Sequence, residues 1–110
     1  MSELARKSCL PCSGGVPRLD AAAAATLQSQ VPQWELVLGH HLRRIFGFKD
    51  FRTALAFVNR VGEVAEREGH HPNLSLAWGR VEVEIWTHKV DGLTEADFVL
   101  AAKLDELPRD

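Results

Sequence analysis

The sequence predicts an α+β domain of two layers, a four-stranded antiparallel sheet with three helices on one face, in the order α-β-β-α-β-β-α. Three observations carry that prediction. After Asp50 the apolar residues recur with a period of 3.6, the mark of a one-sided helix. On each side of that segment lies a pair of short runs that alternate apolar with polar residues. Near the end, Thr94 and Asp97 have the spacing of a capping box and open a last apolar helix. Half-apolar strands and amphipathic helices are buried together when the helices cover one sheet face and leave the other partly open.

Each element has its own signal. Residues 1–18 show no hydrophobic period and contain Pro11, Gly14, Gly15 and Pro17, so an irregular arm is expected ahead of a single domain over 19–110. Asp20 stands at an N-cap position before Ala21–Ala25, Leu27 and Val31, a helix that Pro32 closes. Trp34 to Leu38 and His41 to Phe48, joined at Gly39-His40, predict a hairpin with Leu42, Phe46 and Phe48 on one side. The main helix follows, with Phe51, Ala54, Leu55, Val58, Val61 and Ala65 forming its stripe, Asp50 its cap and Gly69 its left-handed stop. Asn73–Ala77 and Arg80–Thr87, turning at Trp78-Gly79, predict a second hairpin with Val81, Val83 and Ile85 on one face and Glu82, Glu84 and Trp86 on the other. The last helix carries Phe98, Leu100, Ala101, Leu104 and Leu107.

Composition narrows the function. With 110 residues, 45% of them hydrophobic and 25% charged, the chain suits one ordinary globular domain and no two-domain enzyme. Its formal charge of −2 offers no field for a polyanion, so direct nucleic-acid binding is not expected. The longest apolar run falls far short of the ~20 residues needed to span a bilayer. The first fifteen residues hold no apolar segment followed by a cleavage site, so a cytoplasmic location is expected. Cys9 and Cys12 form a lone C-x-x-C pair in the arm, half of a zinc site or a redox pair with no second half, and a structural or incidental role is expected from it.

Chemistry concentrates in imidazoles. His70 and His71 stand where the main helix ends and a strand begins, an exposed rim, with Pro72 holding His71 extended and Glu66 one helical turn before His70. His88 follows the last strand and, if the alternation continues, shares the face of Glu82, Glu84 and Trp86. Histidine titrates near neutral pH, so three of them around one cleft would supply both acid and base. A metal site would need carboxylate or Cys partners at a spacing the chain does not show, and none is expected. His40 and His41 beside Gly39 read as solvated turn residues.

The series Glu66, His70-His71-Pro72, Trp78, His88 and Asp97, with three, five, nine and eight residues between its parts, resembles the active-site signature of the pterin-4a-carbinolamine dehydratases at every position. The resemblance extends to the Trp34 hairpin, Phe48-Lys49-Asp50-Phe51, Thr87-His88 and Gly92-Leu93-Thr94, and so covers roughly residues 20–107. It implies a hydro-lyase, a 4a-hydroxytetrahydrobiopterin dehydratase that recycles the pterin used by an aromatic amino acid hydroxylase, needs no added cofactor and forms a homodimer or homotetramer. By the family pattern His70 and His88 form the acid/base pair, His71 chiefly binds the pterin, and Glu66 orients an imidazole. Pro72, Trp78, Thr87, Asp97 and Trp34 are the further substrate-binding candidates. Asp97 doubles as the capping-box residue, and Trp86 replaces the small polar residue of many members. Gly69 stands where an acidic partner for His70 is often found, which is expected to shift that work to Glu66.

Domains similar to this one also serve as dimerisation partners of transcription factors or as assembly chaperones. A chain confined to that role would be free to lose its histidines, and this one keeps all three with Glu66. Action on a pterin other than biopterin is left open by the residues.

Overall fold

Asp50 and Gly69 bound the helix that organises the fold. In the computed structural model, which describes residues 3–8 and 17–109, helix α2 spans Phe51–Glu68. The Asp50 carboxylate accepts from the Thr53 amide at 2.8 Å, and Gly69 closes the helix at φ 66°, a left-handed value that costs glycine little. The other elements are α1 (Ala21–Gln28), β1 (Glu35–Val37), β2 (His41–Gly47), β3 (Asn73–Ala77), β4 (Arg80–Ile85) and α3 (Glu95–Asp105). The α-β-β-α-β-β-α order and the antiparallel α+β architecture are as the sequence predicts. Cys9 and Cys12 lie outside the described residues.

The sheet order is β1-β2-β4-β3, with every neighbouring pair antiparallel. Register sets Leu42 opposite Ile85 and Phe46 opposite Val81, so one face is apolar and buried beneath the helices. The opposite face carries charge. Arg43 pairs with Glu82 at 2.8 Å and Glu35 at 3.2 Å, raising the guanidinium pKa and holding the Glu82 carboxyl below its usual range. Farther along that face come Glu84, His41 and Trp86.

The α2 stripe is rotated from its sequence reading. Ala54, Phe57, Val61, Val64 and Ala65 are buried, while Phe51 and Leu55 are exposed. Phe57 decides the rotation, because its ring packs on both Phe46 and Phe48 of the β2 end, with centroids 4.6 and 5.2 Å away. Helix α1 stops at Gln28, short of Val31, and the chain then turns so that Gln28 Nε2 donates to the Trp34 carbonyl. The second hairpin turns tightly at Gly79, where a Cβ would stand 2.7 Å from the Phe48 carbonyl oxygen.

The arm contributes to the core. Leu4–Arg6 form a single 3-10 turn, Leu4 is 2% exposed within the main cluster, and Lys103 Nζ donates to the Ala5 carbonyl at 2.7 Å. Among the described residues no helix is long and apolar enough to cross a membrane.

Candidate active site

Where α2 gives way to β3, the left-handed Gly69 turns the chain so that His70 points inward and His71 outward. β4 ends close by. Thr87 bridges to Gly92, and His88–Val90 make a 3-10 turn closed by Asp91 in the left-handed region. These two corners meet around a hollow of about 250 Å³ lined by Gly69, His70 and His71 from one side and Trp86, Thr87, His88 and Lys89 from the other. The three imidazoles named by the sequence thus converge on one cavity.

Each ring is held differently. His70 is 6% exposed, and its Nε2 lies 2.6 Å from Asp97 Oδ1. The other oxygen of that fully buried carboxylate accepts from the Thr87 hydroxyl at 2.7 Å and from the Thr94 amide at 2.8 Å. Thr87 and Thr94 are themselves joined through their hydroxyls at 2.9 Å. A buried carboxylate with three donors is fully paired, which satisfies the requirement that burying it imposes. Asp97 therefore caps α3 and holds His70 at once; it is fully buried and does not line the hollow, so it meets His70 from behind the cavity wall and not a ligand within it.

His71 is exposed and meets Glu66, Nε2 to Oε2 at 2.6 Å. This corrects one expectation: Glu66 does not take over as the partner of His70. The reason is rotational. The Gly69 stop turns His70 toward the buried N-terminus of α3 and leaves His71 on the rim beside Glu66. His88 is exposed, and its ring lies flat on the indole of Trp86, with centroids 4.5 Å apart and planes within 5°.

The remaining candidates fall elsewhere. Trp34 is 1% exposed in the core, edge-on to Phe46, with its indole N–H donating to Asp105 at 2.8 Å; it does not reach the hollow. A strand-flanking aromatic on the helix-covered face is drawn into the core by its own area. Trp78 sits at the β3–β4 turn, 70% exposed, and lines a separate cavity of about 670 Å³ with Lys49, Phe51, Arg52 and Leu55. Pro72 follows the His pair and is half-buried, without lining the hollow.

His40 and His41 are not solvated turn residues. Leu38 and Gly39 both adopt left-handed φ, 54° and 65°, and this turn swings His40 back over the open sheet face. The two rings share a hydrogen bond, Nδ1 to Nδ1 at 3.0 Å, while His40 Nε2 meets Asp91 Oδ1 at 2.8 Å and His41 Nε2 meets Glu84 at 3.4 Å. The His40 contact holds the Asp91 carboxyl below its usual range. Both rings flank Trp86, at 5.3 and 5.8 Å between centroids. No local pattern announces this cluster; only the register of β1, β2 and β4 brings it together.

Comparison with known proteins shows what the chain is similar to. The family model described as pterin 4 alpha carbinolamine dehydratase matches residues 17–107. A protein of Rubrobacter xylanophilus, provisionally named a pterin-4-alpha-carbinolamine dehydratase, is 59% identical over 97% of this chain and all of its own length. A protein of the same provisional name from Alkaliphilus metalliredigens is 48% identical over 96% of each chain. Among solved structures, a transcriptional coactivator/pterin dehydratase from Brucella melitensis superposes with a TM-score of 0.75 at 35% identity, covering 80% of this chain and 95% of that one. A pterin dehydratase-like RuBisCO assembly factor of the alpha-carboxysome shares the fold, with a TM-score of 0.52 at 24% identity over 59% of this chain and 75% of that one. On the family match over residues 17–107 and the near full-length relatives, the chain belongs to the pterin 4 alpha carbinolamine dehydratase family.

Proposed function

We propose that this protein dehydrates 4a-hydroxytetrahydrobiopterin to the quinonoid dihydropterin, recycling the pterin oxidised by an aromatic amino acid hydroxylase. The observation that carries the reading is the meeting of His70, His71 and His88 around one hollow. Hydroxide leaves C4a poorly. One imidazolium delivers a proton to the departing oxygen as the C4a–O bond breaks, and another imidazole removes a ring N–H proton as the C=N bond forms, so that one water leaves and no electrons are exchanged. Such acid/base assistance contributes about 10²–10⁴-fold. His88, exposed on the rim, and His70, fixed by Asp97, are the proposed acid/base pair. His71, with Glu66 behind it, binds and orients the pterin. Thr87 lines the floor and steadies Asp97.

The test is stopped-flow absorbance of 4a-hydroxytetrahydropterin generated by a hydroxylase. The wild type is expected to speed its decay, and His70→Ala and His88→Ala to lose about 10²-fold or more of that acceleration. Decay no faster than in buffer ends the enzymatic reading.

A second reading, a protein-binding role, draws on the exposed Phe51, Leu55 and Trp78 beside Lys49 and Arg52. It predicts that the histidine substitutions leave the protein's cellular effect intact, whereas the enzymatic reading predicts their loss of effect. The same proposal extends to assembly: β1 and β3 are edge strands, and a symmetric homodimer would pair one of them.

A further inference from the structure

The three rings of the hollow differ in what fixes them, and the difference is chemical. His70 and His71 each give a nitrogen to a carboxylate, Asp97 and Glu66. Among the described residues no side chain hydrogen-bonds to the His88 ring; the surface it meets is the indole of Trp86, parallel within 5°. We propose that Trp86 is the positioning residue for His88, and that the β1–β2 turn braces it through His40 and Asp91. This inference rests on the dehydratase reading.

A carboxylate partner would hold an imidazole by occupying one of its two nitrogens. An indole face holds the ring by its plane and leaves both nitrogens to substrate and water. The face also suits both states of a proton shuttle, since a neutral imidazole stacks on it and an imidazolium is drawn to its negative quadrupole. For a group that must give and take a proton within one turnover, this is a better mount than a fixed hydrogen bond.

Trp86 has two further ring neighbours. The His40 and His41 rings flank the indole at 5.3 and 5.8 Å, tilted by 45° and 54°. His40 then reaches Asp91, the residue whose amide donates to the His88 carbonyl at 3.2 Å and closes the 3-10 turn that carries His88. Indole and turn are thereby tied to the same imidazole. Both His40 contacts are satisfied when His40 carries its proton on Nε2, toward Asp91, and accepts at Nδ1 from His41. The left-handed Leu38 and Gly39 place His40 where it can do this.

Two measurements test the proposal. In the first, NMR of the histidine ring protons is expected to show His88 shifted upfield by the indole ring current in the wild type. That shift is lost in Trp86→Ala and partly kept in Trp86→Phe. In the second, stopped-flow kinetics of Trp86→Ala are expected to show kcat lowered about tenfold with KM changed less than about twofold, and Trp86→Phe to recover most of the loss. In a His88→Ala background, Trp86→Ala is expected to cost nothing more. Circular dichroism confirms that each variant is folded. An unshifted His88 resonance, an undiminished Trp86→Ala loss in the His88→Ala background, or a loss confined to KM would each overturn the proposal. If the wild type itself fails to speed the reaction, the dehydratase reading fails, and the ring-proton shift alone then decides whether Trp86 holds His88.

Discussion

His70 Nε2 lies 2.6 Å from Asp97 Oδ1, so the residue that returns the capping bond to Thr94 also fixes the imidazole on the floor of the hollow. One carboxylate couples the start of α3 to the end of α2 across 27 residues of chain. Replacing it should disturb stability and activity together. Asp97→Ala strips the Thr94 amide, the Thr87 hydroxyl and His70 of their acceptor, and a loss on the order of 3 kcal/mol is expected in urea denaturation. Asp97→Asn keeps an acceptor for the cap and should recover most of the stability, while turnover stays about 10²-fold down because the His70 ring loses its anionic partner.

The rim pair should behave in the opposite way. Glu66 and His71 are both largely exposed, so Glu66→Gln is expected to change stability by less than about 1 kcal/mol. Its effect belongs in binding. His71→Ala should chiefly raise KM, and His88→Ala should chiefly lower kcat. Steady-state kinetics with the reverse pattern would require the roles of the two rings to be exchanged.

Leu4 gives a prediction about the arm. Its side chain is buried against the helical layer, and Lys103 secures the next carbonyl. Leu4→Ala should cost about 2 kcal/mol in urea denaturation, while activity well below the melting temperature is unchanged because the hollow lies elsewhere. Removing residues 1–18 should likewise spare turnover and lower the melting temperature. An unchanged melting temperature would mean that the 3-10 turn adds nothing to the core.

Asp50 carries the pH prediction. The Thr53 hydroxyl and amide, donating at 2.6 and 2.8 Å, hold its carboxyl below the usual range. A depressed carboxyl stabilises the fold fully above its unfolded pKa of about 3.9, and that stabilisation is lost as pH falls through the lower folded value. The melting temperature of Asp50→Ala should therefore lie below that of the wild type at pH 7. The gap should close progressively below about pH 4. A gap constant from pH 7 to pH 2 would show that Asp50 acts without its charge.

Local signals account for what the sequence by itself determined. Asp50 and Gly69 mark both ends of α2, Thr94 and Asp97 mark the start of α3, and the alternation of Val81, Val83 and Ile85 reads out the buried face of β4. Each rests on contacts within a few residues, or on the two-residue period of a strand. The family resemblance carried by the series from Glu66 to Asp97 singled out the three imidazoles and the two carboxylates, without pairing Asp97 to His70.

Which carboxylate holds which ring was decided by the tertiary structure, because His70 and His71 are adjacent and a single left-handed residue sends them to opposite sides. Packing of Phe57 on Phe46 and Phe48 set the rotation of α2, burial took Trp34 away from the hollow, and strand register together with the turn after β4 gathered His40, His41 and Asp91 near Trp86. Those outcomes depend on contacts between residues far apart in the chain, whose energies follow from area buried and donors paired, and no short stretch of sequence contains both sides of such a contact.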